Sequence, residues 1–118
     1  MKKIIYLITL VTFLAPAIAD DKANTGNKEA IEKFKYLGCM SCHSVKSAGI
    51  GIDASSKEES GSITPPDLST VGKTRNSEWI SNFLKKKEQI EGRSHPKIFK
   101  GDKAEREMIS NWLASLKG

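Results

Sequence analysis

Cys39-Met40-Ser41-Cys42-His43 constrains this chain more than any other run in it. Two thiols one turn apart can each add to a vinyl group of a haem. The imidazole that follows directly then reaches the iron from the proximal side, so the cofactor is tethered at three points. Other readings of two close cysteines need features found elsewhere in neither composition nor spacing. A thioredoxin-like redox pair needs a βαβ context. A zinc site could draw by count on Cys39, Cys42, His43 and His95, but the usual paired spacing of histidines is missing. A plain disulfide leaves His43 unexplained. The motif therefore predicts one haem c, covalently attached through Cys39 and Cys42, with His43 on the iron.

The N-terminus predicts an oxidising destination that suits such chemistry. Lys2 and Lys3 precede an apolar run from Ile4 to Phe13, and Ala17-Ile18-Ala19 supplies an A-x-A site. Residues 1–19 thus read as a cleaved secretory signal, and residues 20–118 as a single monohaem domain in the periplasm. An uncleaved anchor would need about 20 apolar residues, and Pro16 and Asp20 close this run early. No cysteine follows the run to carry a lipid. Removing Lys2 and Lys3 takes the formal charge from +5 to +3, too little to argue for a nucleic-acid partner.

Along the remaining chain the apolar pattern is helical. Residues 20–27 read as a loose polar terminus. Ala30, Ile31, Phe34 and Leu37 then form one face of a helix over 28–37 that stops at Gly38. Residues 48–64 read as a long surface loop, and Pro65-Pro66 as a rigid extended connection. A second helix is expected over 77–87, with Trp79, Ile80, Phe83 and Leu84 on one face and Lys85, Lys86 and Lys87 at its negative end. His95 precedes Pro96 and so belongs on an irregular segment, 88–101. The last helix opens at Asp102, paired with Glu105 as a capping box, and carries Met108, Ile109, Trp112, Leu113 and Leu116 on its apolar face. There is no strand-like alternation and no internal repeat. The expected fold is all-α, with three main helices whose small apolar faces need a large cofactor to pack around.

With these residues in view, the chain resembles the class I (monohaem) cytochromes c over nearly its whole mature length. The resemblance rests on Phe34-Lys35-Tyr36-Leu37-Gly38-Cys39, on the attachment motif, on Pro66-Asp67-Leu68 and on the final helix. It implies that the first and last helices cross, with Phe34 and Leu37 near Trp112 and Leu113. It also implies that a proline carbonyl accepts the ring N–H of His43. Pro66 is the counterpart, with Pro65 the alternative, and Leu68 would pack on the haem face.

The chain departs from that family at the second axial ligand. A methionine is usual in the loop before the last helix, where this chain has Ser94-His95-Pro96-Lys97-Ile98-Phe99-Lys100-Gly101. His95 occupies the methionine position, Met40 lies between the thiols, and Met108 sits on the apolar face of the last helix. The expected iron site is bis-imidazole, His43 and His95, with Met108, Lys97, Lys100 or an open position as the alternatives. A second imidazole in place of a thioether implies a lower potential. Trp79 is a candidate to donate to a haem propionate, or else a core residue. Lys73 or Arg75 could neutralise propionate charge, or else be solvated surface.

The function expected is an exported carrier of single electrons between periplasmic or membrane-bound redox proteins, with no small-molecule substrate. Lys85, Lys86, Lys87, Arg93, Lys97 and Lys100 offer a basic rim for an acidic partner, or else a solvated face. No nucleophile, base and oxyanion constellation suggests independent catalysis. The competing reading is a gas-binding (NO or CO) sensor, or the haem subunit of a periplasmic oxidoreductase, in which His95 is displaceable.

Overall fold

A computed structural model of the chain describes residues 20–52 and 65–118. The expected signal, 1–19, and most of the expected 48–64 loop lie outside the described residues. Three α-helices carry the fold: α1 (Asp20–Tyr36), α2 (Ser77–Leu84) and α3 (Lys103–Ser115). Among the described residues there is no β-strand, only two isolated bridges.

Helix α1 starts at Asp20, eight residues before the helix expected from residue 28, which corrects the loose terminus expected over 20–27. Residues 24–29 are all exposed and Ala30 is the first buried position. The apolar stripe reports where a helix meets its neighbours, and this helix extends one and more turns beyond that point into solvent. Gly38, at φ 77°, takes the left-handed conformation that ends the helix.

Helix α3 packs against both α1 and α2. Phe34 of α1 and Trp112 of α3 meet edge to face with ring centroids 5.4 Å apart at 73°, so the expected crossing of the first and last helices is present. With Ala30, Val45, Ile50, Ile80, Ile109 and Leu113 they form the buried core. Leu37, Leu68, Met108 and Leu116 are half-buried against it. The start of α3 carries the expected capping box: Glu105 N–H donates to Asp102 Oδ1 at 2.8 Å, and Asp102 N–H to Glu105 Oε2 at 3.0 Å. Glu105 also accepts from Lys33 Nζ at 2.7 Å, tying the capped end of α3 to α1.

Helix α2 begins at an Asn76 cap, whose Oδ1 accepts from Trp79 N–H at 2.8 Å. It ends at Leu84, short of the expected residue 87. Lys86 turns left-handed at φ 61°, and the N–H groups of Lys86 and Lys87 close back onto the carbonyls of Phe83 (3.0 Å) and Asn82 (2.9 Å). That is a Schellman closure with lysine in the place where glycine is usual. The three lysines still follow the carbonyl end of the helix, but as its cap and exit.

Short connections complete the frame. Val45 and Ile50 exchange hydrogen bonds of 2.8 and 3.0 Å around a 3₁₀ turn, Lys46–Ala48. Ser44 O accepts from Leu68 N–H at 2.9 Å, docking the segment after Pro66 beside the residue that follows His43. Asp67 Oδ1 accepts from Ser69 Oγ (2.6 Å) and Ser69 N–H (2.8 Å), while Ser69 Oγ accepts from Ser47 N–H at 2.9 Å. Gly72 is buried where its N–H donates to Leu116 O at 2.9 Å, and a Cβ there would fall on the Ala114 carbonyl. Only glycine allows this approach of the 3₁₀ turn Val71–Lys73 to the end of α3.

Candidate haem site

The left-handed Gly38 turns the chain out of α1 directly into a 3₁₀ turn, Cys39–Ser41, capped by Cys42. His43 N–H and Cys42 N–H both return to Cys39 O, at 3.0 and 3.2 Å. In this geometry side chains three apart eclipse, which suits two thiols meant for one flat group. Both cysteines are free and half-buried. Burial pushes the Cys39 thiol up to about 11. Among the described residues no cluster of three or more His, Cys, Asp or Glu side chains forms, and the zinc alternative therefore fails. The thioredoxin alternative lacks its strands among the same residues.

The His43 ring is half-buried, and its Nδ1 lies 3.1 Å from Pro66 O. A carbonyl can only accept, so Nδ1 carries the proton and donates, and Nε2 keeps its lone pair. Burial holds the ring's pKa below its ordinary value of 6.5, against the opposing pull of the Pro66 carbonyl, with His95 adding a further lowering. Pro66, not Pro65, is thus the residue at this position.

His95 sits opposite. Its centroid is 6.3 Å from that of His43, with the ring planes 22° apart. Its Nδ1 lies 2.8 Å from Lys97 O and by the same argument donates to it. Among the described residues neither Nε2 is engaged in a hydrogen bond. Met108 on α3 and Met40 within the attachment turn are both packed against the core.

The remaining candidates divide. Leu68 is half-buried against the core. Trp79 stacks on Phe83, centroids 5.0 Å apart at 17°, and the Arg75 guanidinium lies 4.0 Å above the Trp79 ring. Phe83 in turn meets His95 edge to face, 5.4 Å at 80°. Sequence reasoning placed Phe83 only on an apolar helix face, and gave no role to the Lys97 carbonyl. The first signal available was the i, i+4 spacing of Trp79 and Phe83; the second was the fixed φ of Pro96 between His95 and Lys97. Lys73 and all six residues of the basic rim are exposed.

Comparison with known protein families matches residues 28–117 to cytochrome c. The chain belongs to the cytochrome c family. Comparison with curated proteins and with solved structures gives no match. As a cytochrome c it binds haem covalently, and Cys39, Cys42 and His43 are its attachment motif. The three-helix all-α frame is that of a small cytochrome c, and the cytochrome is a haem-containing electron carrier. No helix among the described residues is long and apolar enough to cross a membrane.

Proposed function

We propose that this cytochrome is an exported carrier of single electrons whose haem c is held between the imidazoles of His43 and His95, and that its potential is low for the family. The observation that carries the reading is the pair of rings, 6.3 Å apart and near parallel, each with Nδ1 committed to a backbone carbonyl. Imidazole nitrogens about 2 Å from a metal, in rings of about 1.1 Å radius, put two opposed centroids about 6 Å apart. The spacing and the two available Nε2 atoms therefore fit one metal ion between them.

Haem c supplies a one-electron ferric–ferrous couple. The chain's own residues bind and tune it. Cys39 and Cys42 anchor the macrocycle, and the carbonyls of Pro66 and Lys97 fix the two ring orientations and make each imidazole more basic. A second basic imidazole, where the family usually has a thioether, favours the ferric state. Leu68 would cover a haem face, and Trp79 and Arg75 would serve the propionates. The exposed Lys85, Lys86, Lys87, Arg93, Lys97 and Lys100 suit an acidic docking face on a periplasmic or membrane-bound redox partner. Export is supported by Lys2-Lys3, the apolar run and Ala17-Ile18-Ala19, with cleavage after Ala19 leaving 20–118 as the mature domain.

Potentiometric titration of the holoprotein tests this. His95→Met should raise the midpoint potential by on the order of 100 mV; an unchanged potential and spectrum in His95→Ala would remove His95 from the iron.

A further inference from the structure

Arg75, Trp79, Phe83 and His95 form a continuous series of ring contacts. The guanidinium lies 4.0 Å above the indole, the indole stacks on the Phe83 ring at 5.0 Å, and Phe83 meets the imidazole edge to face at 5.4 Å. Three of the four are fixed independently of His95. Trp79 and Phe83 share one face of α2 at i, i+4, and the start of that helix is pinned by the Asn76 cap on Trp79 N–H. His95 itself lies on an irregular segment, with the Lys97 carbonyl, two residues away, as its hydrogen-bond partner among the described residues. A bond to so near a neighbour moves with the loop; a contact to α2 does not.

We infer that Phe83, backed by Trp79 and Arg75, is a positioning residue that holds the His95 imidazole toward His43 and so keeps the distal side of the haem closed. The inference rests on the reading of His95 as the distal ligand. Edge-to-face contact stabilises one ring orientation without a bond that would compete for Nε2. The Lys97 carbonyl sets the tautomer, and the aromatic series sets the place.

The test is stopped-flow CO binding to the reduced holoprotein, with ferric EPR as the second readout, in Phe83→Leu, Phe83→Tyr, Trp79→Leu and His95→Ala. Phe83→Leu keeps apolar bulk and loses the ring. It should speed CO binding about three- to tenfold and broaden the low-spin EPR signal. Phe83→Tyr should restore wild-type behaviour, and Trp79→Leu should give a smaller acceleration. Wild-type CO kinetics in both leucine variants, alongside rapid CO binding in His95→Ala, would overturn the role of Phe83 and leave His95 as ligand. Unchanged CO behaviour in His95→Ala would overturn both. If Phe83→Leu does not fold, Trp79→Leu decides by the same criterion.

Discussion

Pro66 and Pro96 frame the two histidines in parallel ways: the Pro66 carbonyl accepts from His43 Nδ1 at 3.1 Å, and the carbonyl that accepts from His95 Nδ1 at 2.8 Å belongs to Lys97, directly after Pro96. Proline fixes φ and so narrows the directions its neighbourhood's carbonyls can take. Two rings on unrelated segments thereby acquire the same tautomer, with their centroids 6.3 Å apart and their planes 22° from parallel.

The interlock of Phe34 and Trp112 carries much of a small core. Phe34 is 1% exposed and Trp112 4%. Phe34→Ala or Trp112→Ala should each cost about 3–5 kcal/mol, a large share of the 5–15 kcal/mol typical of a domain. Guanidinium titration of the holoprotein reads this as a lower midpoint at nearly unchanged slope.

Lys86 gives the opposite sign. It is an exposed, non-glycine residue at φ 61° in the Schellman closure of α2. Lys86→Gly should stabilise the fold by about 0.5–1 kcal/mol, the relief of left-handed strain less the extra freedom of glycine in the unfolded chain. A fall in thermal midpoint would show that the lysine side chain contributes more than its backbone costs.

Those two examples show what the sequence could and could not disclose. The apolar stripes of α2 and α3, the Asp102–Glu105 box and the Phe34–Trp112 crossing were legible, because each is a local pattern or part of a family resemblance. The first turns of α1 were not, since residues 24–29 are exposed and no burial there demands an apolar pattern. The end of α2 was missed because Lys85, Lys86 and Lys87 are good helix formers and no glycine marks the turn. At the site, the attachment motif, the Pro66 carbonyl on His43 and the nearness of the His95 ring to that of His43 were readable. Phe83 and the Lys97 carbonyl emerged only in three dimensions, because nothing in a linear chain tells which ring a helix face will meet.

Acid should loosen the segment that carries Pro66. The Ser69 hydroxyl, then the Ser69 N–H, hold the Asp67 carboxyl below its ordinary 3.8. The Lys33 side chain, then the Asp102 N–H, hold Glu105 below 4.5. The folded form takes up these protons less readily than the unfolded chain, so the stability they contribute is complete above those ordinary values. It is lost as pH falls through the lowered ones. Thermal midpoints should therefore drop as pH falls below the ordinary carboxylate values of 4.5 and 3.8, and Asp67→Asn should flatten part of that drop. Equal slopes in the two proteins would exclude Asp67 as a contributor.

The central claim is that His43 and His95 both bind the iron, and the absorption spectrum of the reduced holoprotein before and after CO tests it most directly. Wild type should give a sharp low-spin spectrum that CO shifts only slowly, and His95→Ala should react with CO promptly. A wild-type Soret band that shifts promptly with CO, or an His95→Ala spectrum identical to wild type, would contradict it.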